Sequence, residues 1–151
     1  MRLLPLAVAL LFCAASAAPF LGSRGDFRSS ALCQAYPCRL LATVPSGPLD
    51  QSHYRVGRDT RVVVWRDRGG PVRSVSVVWY GHTTLTGEDL KFVEALLTCA
   101  TGQVVPARTA LAWLASDDGS WDWGSFQVVR EEGLLPGTRL GILTLGATVR
   151  R

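Results

Sequence analysis

Six arginines, Arg55, Arg58, Arg61, Arg66, Arg68 and Arg73, fall within 19 residues and face only Asp59 and Asp67. Guanidinium groups at this density hold carboxylates, phosphates or sulfates through charge-assisted hydrogen bonds. The segment carries a net charge of +4, as large as that of the whole chain. Strand alternation divides the cluster, because Arg61 shares a parity with Val63 and Trp65 while Arg66 shares one with Val62 and Val64. Arg66, Arg68 and Arg73, close to the turn Asp67-Arg68-Gly69-Gly70-Pro71, are the arginines expected to bind a ligand. Arginines at strand ends also protect sheet edges and keep a surface soluble, which is the plainer reading of the same residues.

A second candidate is the polar, aromatic segment Asp117-Asp118-Gly119-Ser120-Trp121-Asp122-Trp123-Gly124, expected to be a loop. In an extended chain Trp121 and Trp123 point the same way, and flat aromatic faces beside carboxylates suit a sugar. The competing reading makes them a cap on the open end of the core. The order Asp, Asp, Gly lacks the alternating ligands of a calcium loop.

The histidines carry less. Asp50, Ser52 and His53 lie too close in one stretch to form a catalytic triad by proximity. His82 precedes a predicted helix on a loop, and with a carboxylate such as Glu88 or Asp122 it defines the alternative of a small envelope enzyme. Glu88 and Asp89 at that helix start would repel an anionic substrate. No nucleophile elbow, zinc-protease helix, phosphate loop or dinucleotide fingerprint is present. Neither a metal site nor a cofactor is expected, and a non-catalytic role is favoured over an enzyme.

Cysteines and the N-terminus bear on compartment. Arg2, the apolar run Leu3 to Ala14 and the small residues Ala15-Ser16-Ala17 read as a secretory signal cut between Ala17 and Ala18. The apolar run is too short for a membrane span, and Phe12 before Cys13 does not fit a lipoprotein signal. Cleavage would leave 134 of the 151 residues, with a net charge of +3. An excess that small does not mark a nucleic-acid binder. The expected location is periplasmic or extracellular. In an oxidising compartment Cys33 and Cys38, bracketing a bend at Pro37, are the favoured disulfide, with Cys38–Cys99 next and Cys99 otherwise a buried thiol on a helix stripe.

These residues must be positioned by a single domain. Residues 18–32 lack periodicity and are expected to be a mobile lead-in, followed by one domain over 33–151. Strands are expected at Arg39 to Val44, near Tyr54 to Val56, and in a hairpin formed by Arg61 to Arg66 and Val72 to Tyr80. Helices are expected over Gly87 to Thr101, with Thr86 as N-cap and Gly102 as stop, and from Pro106 to about Ala115. Two last strands, Phe126 to Arg130 and Arg139 to Thr148, complete the order strands, two helices, strands. That order predicts an α+β two-layer sandwich in which two helices cover one face of an antiparallel sheet of about five strands. The functional expectation is an exported binding module for an anionic envelope polymer or a protein partner, acting through the basic hairpin. An inhibitor or assembly factor that offers a sheet edge to a partner's strand is a further alternative.

Overall fold

A computed structural model of the 151-residue chain describes residues 18–81, 84–117 and 119–150. The expected export signal at residues 1–17, His82 and Asp118 lie outside these residues. Seven strands are present: β1 (Cys38–Ser46), β2 (Leu49–Val56), β3 (Thr60–Asp67), β4 (Val72–Tyr80), β5 (Gly119–Trp123), β6 (Phe126–Leu134) and β7 (Gly141–Val149). They form one open antiparallel sheet in the order β1-β2-β3-β4-β7-β6-β5. Two long helices, α2 (Gly87–Thr101) and α3 (Ala107–Ala115), follow β4, and a five-residue helix α1 (Ala31–Ala35) precedes β1.

The expected sandwich of about five strands is therefore corrected to an open seven-stranded sheet with two long helices. Two differences account for the count. The acidic, tryptophan-bearing segment read as a loop supplies β5, whose residues Trp121 and Trp123 pair with Val128 and Phe126. The first two strands are both complete members of the sheet, and β1 runs through Pro45 because an edge strand can spare one donor.

Cross-strand partners share a face, so the register sorts the side chains without ambiguity. Tyr54, Val62, Val77, Leu145 and Arg130 are successive partners across β2, β3, β4, β7 and β6, and all five are buried. The apolar members of this row join Phe92, Val93, Leu96 and Leu97 of α2 and Trp113 and Leu114 of α3 in one core. The helices thus cover this face of the sheet, and the opposite face carries none of the long helices' buried residues.

Local chemistry explains the helix that anchors the core. Thr86 Oγ1 accepts from the Asp89 backbone N–H while the Asp89 carboxylate accepts from the Thr86 N–H, a reciprocal cap at the start of α2. Gly102 closes the helix at φ 70°, a left-handed position that suits glycine.

Residues 18–32, expected to be a mobile lead-in, are a packed part of the domain. Leu21, Phe27 and Leu32 are buried in the core. Backbone bonds from Phe20 to Cys99 and from Leu21 to Ala100 hold the segment on the end of α2, and Gly22 and Ser23 bond Val72 of β4. Few apolar residues spaced irregularly are enough when each enters a core built by other elements.

Cys33 and Cys38 form a disulfide. Cys99 is also disulfide-bonded, so the free thiol expected there is corrected. Its helix stripe reported its position against the core and carried no information on its redox state.

Candidate functional site

The three arginines expected to bind a ligand are each held within the molecule. Arg66 donates through Nη1 to the Gly70 carbonyl at 3.3 Å and through Nη2 to the Gly25 carbonyl, which ties the N-terminal segment to the sheet. Arg68 places Nε 3.5 Å from Asp50 Oδ1 and donates to the Gly47 carbonyl at 3.0 Å, bracing the turn between β1 and β2. Arg73 grips Asp67 through Nε at 2.7 Å and Nη2 at 2.6 Å. The Arg73 guanidinium holds the Asp67 carboxyl below its usual range. These contacts give the turn end of the hairpin a structural use for its charge.

The two tryptophans point the same way, as an extended segment requires, and they point at the core. Trp121 stacks on Trp113 of α3 with ring centroids 6.2 Å apart, and Trp123 meets the same ring edge-on at 5.3 Å. Of the carboxylates considered with His82, Glu88 lies exposed in the first turn of α2 and Asp122 lies on β5, 3.0 Å from Arg150.

A different set of arginines has no such partners. Arg39 on β1 is directly opposite Arg55 on β2, and Arg55 is directly opposite Arg61 on β3. The three lie in register on the helix-free face, a row about 10 Å long at the usual spacing between strands. Arg58, in the turn between β2 and β3, extends the charge beyond the row. None of these four side chains makes a hydrogen bond or ion pair with another described residue. Like charges directly opposite one another in a sheet are destabilising. The row is therefore a local cost to the fold that no hydrogen bond or ion pair among the described residues relieves.

His53 sits beside the row, between Ala42 and Val63 in register. Burial first, and then the charge of Arg61, holds its imidazole below the usual value. The site is already crowded with positive charge, and a further proton is disfavoured there.

Next to the arginines the same face hollows into a groove of about 390 Å³. Its floor includes Val63 and Val78, which are only 4% and 8% exposed although no long helix covers them. Trp65 lines one side and Glu131 the other. Gly146 on β7 shapes the floor: a Cβ there would come within 2.5 Å of the Ser76 Cβ and collide with the Val75 carbonyl. Strands β4 and β7 approach as closely as they do because this position has no side chain.

Sequence reasoning missed the row because its members come from three strands whose register is set by folding. A window starting at Arg55 also excludes Arg39. The available signal was parity: Arg61 was separated from Arg66 by alternation, and the structure does place them on opposite faces, with Arg66 opposite Asp50 and Arg61 opposite Arg55.

The edge strand β1 exposes Leu40, Leu41 and Val44 at 37%, 38% and 46%. A bulge between Leu40 and Ala42 and the missing donor at Pro45 blunt that edge against pairing with another strand. Among the described residues, no group of three His, Cys, Asp or Glu side chains is arranged to hold a metal ion. No family model, curated protein or solved structure matches the chain. The class that fold and site define is accordingly physical: an α+β domain with an open sheet whose helix-free face carries an unneutralised arginine row.

Proposed function

We propose that the protein is an exported, non-catalytic domain that binds an anionic ligand on the helix-free face of its sheet. The observation that carries this reading is the in-register row Arg39, Arg55 and Arg61, none of which forms an ion pair with an acidic side chain among the described residues. An anionic ligand supplies the missing counter-charge, so ligand binding relieves a cost already present in the free protein. The hairpin still contributes through Arg61, while the turn arginines Arg66, Arg68 and Arg73 brace the loops that present the face. Export is supported by the Cys33–Cys38 disulfide and by the N-terminal residue pattern. No helix among the described residues is long and apolar enough to cross a membrane.

Retention on immobilised heparin, eluted with a salt gradient, tests the reading. Replacing Arg39, Arg55 and Arg61 together with Ser should lower affinity about tenfold at low salt, because exposed charge contacts are worth a few tenths to 1 kcal/mol each. The wild-type advantage should shrink steeply as salt rises. Equal retention of the two proteins at low salt would refute the proposal.

A further inference from the structure

The groove beside the arginine row contains chemistry that a bare polyanion does not use. Ser74, Ser76, Thr144 and Thr148 place hydroxyls along it, and Trp65 lines it from β3. Trp65 has no ring partner among the described residues, in contrast to Trp121 and Trp123, whose rings pack with Trp113. A flat indole beside the Ser74 and Thr148 hydroxyls, which share its register row, matches a pyranose, which offers an apolar C–H face to the ring and hydroxyls to the polar groups around its edge.

The charges give the groove a direction. Crossing the sheet from β1 to β6, the in-register residues on this face are Arg39, Arg55, Arg61, Val78, Thr144 and Glu131. Positive charge lies at one end and a carboxylate at the other, with the groove floor between them. An anionic group fits the arginine end and is repelled by Glu131. A neutral hydroxyl is suited to Glu131, which accepts its hydrogen bond.

We infer that the groove takes an acidic saccharide. Its carboxylate or sulfate lies against Arg55 and Arg61, hydroxyls of that unit and its neighbour reach Ser76, Thr144 and Glu131, and a further ring stacks on Trp65, four residues along β3 from Arg61. This inference rests on the anion-binding reading of the arginine row and adds the class of ligand. Charge complementarity at one end and hydroxyl-binding groups at the other favour this occupant over an acidic peptide, which would leave the Glu131 end facing its own carboxylates.

Calorimetry with oligogalacturonate and a heparin-derived oligosaccharide tests it, with polyphosphate and a poly-glutamate peptide of equal charge as comparisons. At least one acidic saccharide should bind more tightly than both comparison polyanions. Trp65→Thr should weaken saccharide binding about tenfold and leave polyphosphate binding unchanged, since it removes the aromatic face on which a ring stacks. Glu131→Gln alters an exposed side chain and keeps the fold: saccharide binding should weaken several-fold, whereas binding of a bare polyanion should strengthen as a repulsive charge is removed.

The saccharide inference is overturned if polyphosphate or the peptide binds as tightly as the saccharides. It is also overturned if neither Trp65→Thr nor Glu131→Gln weakens saccharide binding. In both cases the arginine row stands as an anion site if replacing Arg39, Arg55 and Arg61 still weakens binding about tenfold at low salt. Saccharide affinity unchanged by that triple replacement would overturn the anion-binding reading itself.

Discussion

Replacing Arg55 with Gln should stabilise the protein while weakening its affinity for anions. Arg55 is the middle member of the row and faces Arg39 on one side and Arg61 on the other. Gln keeps most of the aliphatic stem and removes the charge, so two like-charge contacts disappear with little loss of packing. Each such cross-strand contact costs roughly 0.2–1 kcal/mol, which gives a gain of about 1 kcal/mol at low salt. For a domain of this size the gain corresponds to a rise in Tm of about 3–5 °C. At 1 M salt the screening length falls to about 3 Å and the gain should vanish. Thermal unfolding followed by circular dichroism at low and high salt reads both quantities. A fall in Tm for Arg55→Gln at low salt, or a gain that persists unchanged at 1 M salt, would refute the claim that the row is internally unneutralised.

Four further outcomes follow from the same contacts. Gly146→Ala should destabilise the domain by about 1–3 kcal/mol in urea titrations, because its Cβ meets backbone and Ser76 rather than a flexible side-chain end; a neutral result would mean that β4 and β7 are not packed so closely. Arg130→Met should cost about 1–3 kcal/mol, since it removes the buried donor that reaches the Leu114 carbonyl at 3.2 Å; unchanged unfolding would contradict that role. Reducing the Cys33–Cys38 bond should cost about 2 kcal/mol in the chain-entropy model for so short a loop, measured by denaturation of a Cys33→Ser/Cys38→Ser variant. His53 gives a pH dependence: its folded-state pKa is depressed, so it lowers stability as pH falls below the usual value of 6.5, where the unfolded chain takes up the proton first. An anion beside Arg61 should raise that pKa, so affinity for a sulfated probe should increase as pH falls below about 6.5, and His53→Gln should remove the increase.

Much of the local structure was legible because it is written in adjacent residues. The helix Gly87–Thr101 carries its cap at Thr86, its acidic first turn and its glycine stop within one short stretch, and its bounds are as expected. The hairpin of β3 and β4 is visible from β-branched runs flanking Asp67 to Pro71. Strand β5 is short and rich in Gly, Ser and Asp, so its propensity is poor, and its place in the sheet comes from pairing with β6 and from the packing of two tryptophans on α3. Burial of Leu21 and Phe27 similarly depends on a surface that α2, β2 and β4 create elsewhere in the chain.

The candidate site was legible only in part for the same reason. Sequence proximity singled out Arg66, Arg68 and Arg73, but proximity to a turn also places an arginine near turn carbonyls and aspartates, and each of the three is engaged there. The row that remains unengaged combines Arg39, Arg55 and Arg61 through two strand registers, one of them passing a bulge. The groove beside it depends on Gly146, whose importance lies in a close approach between β4 and β7 that no local pattern announces.

Whether the in-register arginines bind the anion is read by an NMR titration that follows arginine side-chain and backbone amide signals as a heparin oligosaccharide is added. Shifts should concentrate on Arg39, Arg55 and Arg61, with Val63, Trp65 and Val78 of the adjoining groove, while Arg66, Arg68, Arg73, Trp121 and Trp123 remain in place. Shifts concentrated on Arg66, Arg68 and Arg73, with the in-register row unmoved, would contradict it.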